Sequence, residues 1–210
     1  MLAVTSSLTH ADPIVITSGS LSVSGFSGSP VYGFSGPNFS ATGTGLEFGN
    51  TGPALCSPCV SGDVISPNSI FGGLALGFGT VTINGATFNN ISIGGLLTFT
   101  GPGVIVPVTD STSITLTTPF TLSGSIDGCL EPHLVCQTVV FSTAVSGSGI
   151  ATIQLHGIVD SQGHVLFDFQ SVTYSFTDTT VPEPASILFL TSGVAALAGA
   201  KLNRRRTKAP

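Results

Sequence analysis

The sequence predicts an all-β body, an antiparallel β-sandwich or barrel, followed by one apolar C-terminal transmembrane helix. Three observations carry this. The 210 residues include 27 Gly, 27 Ser and 26 Thr, and only 7% are charged, against roughly 25% in ordinary globular proteins. Hydroxyls and amides must therefore cover most of the surface. Val, Ile, Thr and Phe stand where helix-surface residues would, which suits a pleated, half-buried wall. Apolar-alternating runs recur every ~8–14 residues between Gly, Pro and Asn turns, the spacing of a sandwich or barrel. Disorder is excluded, because 41% of the chain is hydrophobic and disordered chains are poor in apolar residues.

The elements follow in order. Residues 1–13 read as the remnant of a signal peptide or a disordered N-terminus. Residues 14–24 (IVITSGSLSVS) alternate as a strand. A short echo follows, GFSGSP at 25–30 and GFSGPNF at 33–39; two copies are too few for a solenoid. Residues 38–48 form the next strand. The segment 50–69 carries Pro53, Pro58 and Pro67 around two cysteines and reads as a pinned loop. Val81-Thr82-Ile83, Asn84-Gly85 and Ala86-Thr87-Phe88 are a hairpin signal. Ile91 and Ile93, then Leu97 and Phe99, continue as two strands. Residues 104–108, 113–118 and 120–126 give three more, with Pro107 and Pro119 marking edges or strand ends. Long strands are expected over 138–145, 149–159 and 164–177, the last two joined by a turn at Asp160-Ser161-Gln162-Gly163. In the final strand, Leu166, Asp168, Gln170 and Val172 alternate with Val165, Phe167, Phe169 and Ser171, which puts the two sets on opposite faces. The body spans 14–178, and 179–210 is a separate C-terminal segment.

Charge is segregated along the chain. Lys201, Arg204, Arg205, Arg206 and Lys208 are the five basic residues, and residues 1–200 contain none, while all ten acidic residues lie between Asp12 and Glu183. A body without cationic side chains cannot neutralise phosphates, which excludes nucleic-acid binding. It also lacks the P-loop lysine or arginine clamp of nucleotide-dependent enzymes. No cofactor-binding motif is present.

Cys56, Cys59, Cys129 and Cys136 are the four cysteines. An even count in an exported chain fits two disulfides, with local pairing 56–59 and 129–136 the most natural of three connectivities. A four-ligand zinc site with His133 substituting for one cysteine is an alternative, though the second spacing is too wide. A redox Cys-x-x-Cys would need a βαβ setting that the surrounding β-rich sequence does not offer.

The search for catalytic constellations finds little. Gly25-Phe26-Ser27-Gly28-Ser29 breaks the nucleophile-elbow pattern at its last position. His156, Asp160, His164 and Asp168 cluster on one expected hairpin and are the best candidate for a hydrolase or a metal site. No nucleophile–base spacing accompanies them. Calcium at Asp63, Asp127 and Asp160 has no loop motif behind it. The chain is therefore read as non-enzymatic, with no metal site.

The C-terminal end is the clearest segment. Val181-Pro182-Glu183-Pro184 is followed by ASILFLTSGVAALAGA at 185–200, then by Lys201-Leu202-Asn203-Arg204-Arg205-Arg206. Sixteen uncharged residues make a helix of about 24 Å, slightly under a bilayer core. The prolines suit a helix start, and the arginines that follow are a positive-inside mark. This order resembles the PEP-CTERM sorting signal of Gram-negative bacteria. The resemblance covers about 30 residues of the chain. It implies that Val181, Pro182, Glu183 and Pro184 are a recognition motif for an exosortase-type processing enzyme. It implies that 185–200 anchors the chain transiently in the inner membrane and that Arg204, Arg205 and Arg206 face the cytoplasm. Members of this class carry a signal peptide. Here Met1–Val4 gives way quickly to polar residues, so the expectation is a start inside a longer signal peptide, with Thr9-His10-Ala11 as the tail of a cleavage site.

The expected function is that of an exported envelope or extracellular-matrix protein with a structural or adhesive role. Its body would lie in the periplasm and then at the cell surface or in an exopolysaccharide matrix. A carbohydrate-binding module is the alternative; such sites use exposed aromatics, and the chain has no Trp and two tyrosines, Tyr32 and Tyr174.

Overall fold

The alternation of apolar and hydroxyl residues resolves, in a computed structural model, into a closed wall. Residues 13–25, 30–45, 58–70, 77–129 and 138–177 are described. The strands are β1 (Ile14–Ile16), β2 (Ser18–Ser24), β3 (Val31–Gly36), β4 (Phe39–Thr44), β5 (Val64–Ile65) and β6 (Phe78–Ile83). They continue as β7 (Ala86–Thr100), β8 (Val104–Ile105), β9 (Ser113–Cys129), β10 (Val139–Val159) and β11 (Val165–Thr177), with one helical turn, α1 (Pro67–Ile70), after β5.

Eight of these strands form a meander. Each of β2, β3, β4, β6, β7, β9, β10 and β11 pairs antiparallel with the next, and β11 pairs back onto β2. That last pairing closes the sheet, so the body is a barrel and not a sandwich. β5 and β8 form a separate two-stranded ribbon.

Apolar side chains fill the barrel. Phe99, Tyr174 and Phe120 meet at its centre, with Phe99 stacked on Tyr174 at 3.9 Å between ring centroids and Phe120 edge-on to Tyr174 at 5.1 Å. Phe34, Phe39 and Phe176 extend the cluster. The Tyr174 hydroxyl donates to the carbonyl of Pro67 at 3.1 Å, tying α1 to the core. On the outside, hydroxyls pair across strands: Ser22 with Thr173, Thr82 with Thr87, Thr100 with Thr121. Apolar in and hydroxyl out is the reverse of a lipid-spanning barrel.

Several strand limits differ from the sequence reading, for one reason. Long strands change partners along their length, so a local breaker does not end them. β7 is continuous from 86 to 100, where two strands after the hairpin are expected. β9 runs through Pro119, which lies just beyond the last β7 pair, Thr100 with Thr121, where β9 is locally an edge. β10 runs unbroken for 21 residues. Conversely, 14–24 splits at Thr17, because β1 pairs in parallel with β10 while β2 pairs with β11. In β11 a register shift opposite Gln154 and Leu155 skips Gln170. Val172 therefore faces inward with Phe167 and Phe169, not with Leu166 and Asp168.

Contacts divide the chain into Met1–Asp178 and Thr179–Pro210. The second unit lies outside the described residues, and with it Val181–Pro184, the apolar segment 185–200 and Arg204–Arg206. Among the described residues no helix is long and apolar enough to cross a membrane.

Candidate functional site

The β10–β11 hairpin was the sequence's best candidate for chemistry. Its turn forms because Gly163 takes a positive φ of 86° and Asp160 caps the backbone. One oxygen of Asp160, Oδ1, accepts from the N–H groups of Gln162 and His164, each at 2.8 Å. The other, Oδ2, lies 3.3 Å from His164 Nδ1. The His164 N–H does most to hold the Asp160 carboxyl below its ordinary value; burial opposes it, and the Gln162 N–H and the His164 ring add to the lowering. The carboxylate is thus chiefly the turn's backbone acceptor.

His156 and Asp168 lie further from the turn. They are paired in register on β10 and β11, between inward-facing Leu155 and Gly157 on one strand and Phe167 and Phe169 on the other. The four residues therefore form two separate His–Asp pairs, not one constellation. A surface depression of about 360 Å³ borders His164 and is also lined by Val60, Ser61, Val108 and Asp110. Asp110 gave no sequence signal, because it arrives from the β8–β9 loop across a long-range fold. Ser61 and Thr109 bring hydroxyls to it, and Ser61 donates to the Pro107 carbonyl at 3.1 Å. Among the described residues no three His, Cys, Asp or Glu side chains converge on one point. Asp63 accepts from the Val60 N–H in a loop turn of its own. Asp127 sits at the opposite end of the barrel, between Gly94 and Ser142.

Cys59 and Cys129 are buried, and neither is a free thiol; Cys56 and Cys136 lie outside the described residues. Cys59 pairs with Phe167, which stands opposite Gly157 of β10, whereas Cys129 stands opposite Val139. From 139 to 157 is ~59 Å of strand at ~3.3 Å per residue. Cys56 is tethered three residues from Cys59, and Cys136 three residues from Val139. Cys59 and Cys129 therefore lie toward opposite ends of the barrel. A single four-ligand zinc site is overturned on this geometry, since zinc–sulfur bonds are about 2.3 Å. A disulfide between Cys59 and Cys129 is overturned with it.

The two tyrosines considered for sugar stacking are also corrected. Tyr32 is 4% and Tyr174 0% exposed, and both point into the barrel. The Tyr32 hydroxyl lies across Gly43 and Gly79, where an added Cβ would strike it. It is buried with no hydrogen-bond partner among the described residues. Burial pushes both phenols well above the ordinary tyrosine value.

Compared with known protein families, curated proteins and solved structures, the chain matches none of them.

Proposed function

We propose that the chain is an exported envelope or matrix protein in which an inert barrel serves a structural or adhesive role and the C-terminal segment directs sorting. The observation that carries the sorting half is the order of Val181–Pro184, an apolar run at 185–200 and Arg204–Arg206 behind 200 residues free of Lys and Arg. An exosortase-type enzyme would cut at the motif, after a transient stay in the inner membrane.

The barrel supports a role on its outside. Among the described residues its interior is filled by aromatic and aliphatic side chains, as in small barrels. Its outer wall carries cross-strand hydroxyl pairs with few charges. Such a wall suits a neutral, hydrogen-bonding neighbour, for which an exopolysaccharide is the proposed partner. Local disulfides 56–59 and 129–136 belong to the same reading, because secreted domains meet oxidising conditions.

Fractionation of the native host tests it. The wild-type body is expected outside the inner membrane, and a Pro182→Ala, Glu183→Ala, Pro184→Ala variant is expected to remain there uncut. Identical fractions for both chains would refute the sorting proposal.

A further inference from the structure

The depression of about 360 Å³ beside the β10–β11 turn is enclosed by three segments, each held by its own hydrogen bonds. Residues 60–63 form a turn in which the Asp63 N–H donates to Val60 O at 3.1 Å and Asp63 Oδ2 accepts from the Val60 N–H at 2.8 Å. The Gly62 N–H donates to Val106 O at 2.9 Å and the Ser61 hydroxyl to Pro107 O, so this turn is stitched to the chain leaving β8. Cys59 and Phe167 exchange two backbone bonds of 2.8 Å, which seat it beside β11. Thr109 Oγ1 accepts from the Ser111 N–H at 3.0 Å and shapes the second segment. Asp160 fixes the third, the hairpin tip. The depression is therefore preformed, and its volume lies at the lower end of the ~300–1,000 Å³ of small-ligand sites.

Two chemistries line it. Val60, Val108 and Val165 supply aliphatic surface, with Val108 92% exposed. The polar groups are acceptors. The Ser61 hydroxyl hydrogen is committed to Pro107 O, which leaves its oxygen only lone pairs to offer. Thr109 Oγ1 keeps a lone pair beside the one that Ser111 uses. Asp110 is acceptor-only, and among the described residues its carboxylate caps no backbone, unlike those of Asp63 and Asp160. A ligand that donates several hydrogen bonds and carries positive charge complements this set. Residues 1–200 contain no Lys or Arg. A second barrel would bring carboxylates to carboxylates, so the cation comes from another molecule.

We infer that the depression takes an alkylammonium group on an aliphatic stem, the lysine side chain of a partner protein. The stem lies along Val60, Val108 and Val165, and the ammonium donates to Ser61, Thr109 and Asp110. The inference concerns the barrel alone and does not depend on sorting.

Amide NMR of the full chain, titrated with Nα-acetyl-lysine methylamide, tests this. Saturating shifts are expected at Ser61, Asp110 and His164. The norleucine analogue, which lacks the ammonium, and ethylammonium, which lacks most of the stem, should each bind roughly fivefold more weakly or worse. Asp110→Asn should weaken binding about three- to fivefold, the range of one exposed ion pair. Asp127→Asn removes the same charge at the opposite end of the barrel and should leave binding unchanged. Val108→Ser should weaken it about twofold or more. Asp110 and Val108 are exposed, so both variants should keep the wild-type amide spectrum elsewhere. No shift at the three amides, equal binding of the norleucine analogue, equal losses from Asp110→Asn and Asp127→Asn, or tighter binding of a neutral glucan oligomer at the same amides would overturn the inference.

Discussion

Two buried tyrosines in one barrel should respond in opposite directions to loss of the same atom. Tyr174 and Tyr32 both point inward and are almost fully shielded. The Tyr174 hydroxyl donates to the Pro67 carbonyl, a buried bond that ties α1 to the centre of the core. Tyr174→Phe keeps the ring against Phe99 and Phe120 but leaves that carbonyl without its donor. The cost of stranding a buried acceptor is about 1–3 kcal/mol. For a body of this size each kcal/mol moves Tm by about 2–4 °C, so the variant should melt ~2–12 °C lower. Tyr32→Phe removes a hydroxyl that is already unpaired. It relieves a desolvation penalty and strands nothing, so the gain should be about 1 kcal/mol and the shift ~2–4 °C upward. Calorimetry of the two single variants and the double variant, with disulfides intact, reads both signs. If Tyr32→Phe destabilises the fold as much as Tyr174→Phe does, the Tyr32 hydroxyl has a partner and the reasoning fails.

The remaining predictions concern pH, the hairpin turn and one tight glycine contact. Burial raises both phenols above 10.0, so the folded state keeps protons that the unfolded state releases. The stability from this source is intact below pH 10 and declines as pH rises toward the folded values, by up to ~1.4 kcal/mol per pH unit for each tyrosine. Urea midpoints from pH 8 to 11.5 should fall for the wild type and flatten for the double Phe variant. Asp160 has a lowered pKa, so its contribution is present above the unfolded value of 3.8 and fades as pH drops below it. Asp160→Ala should speed amide exchange at Gln162 and His164 while leaving Val172 in mid-strand unchanged, as measured by NMR. Gly43→Ala places a methyl against the Phe78 carbonyl and the Tyr32 hydroxyl. It should cost about 1–3 kcal/mol by denaturant melts, and Tyr32→Phe should not rescue it, because the backbone clash persists.

The all-β class was legible because the Ser and Thr of the outer wall alternate with the aliphatic and aromatic residues of the interior. The Asn84-Gly85 turn was legible for a local reason, since both residues take positive φ, 50° and 82°. Closure into a barrel was not, because the pairing of Thr173 with Ser22 joins residues 151 positions apart. Strand ends near Pro119 were misread, because a proline's cost depends on whether a neighbour strand stands beside it, and that is a tertiary fact. The same holds at Gln170, where one skipped residue reverses the faces of all that follows. The His–Asp hairpin was located correctly as a hairpin. Its four residues were not resolved into two pairs, because distance along a strand separates side chains that sequence proximity brings together. The tyrosines were weighed for exposure from their type alone, whereas β3 and β11 turn both of them inward.

Intact mass of the protein recovered from each fraction of its native host, with and without thiol alkylation, tests the central claim most directly. The account predicts a body ending near Val181–Pro184, outside the inner membrane, with no alkylated cysteine until it is reduced. A membrane-bound species that retains Arg204–Arg206 and takes up four alkyl groups without reduction would contradict export, sorting and the disulfides together.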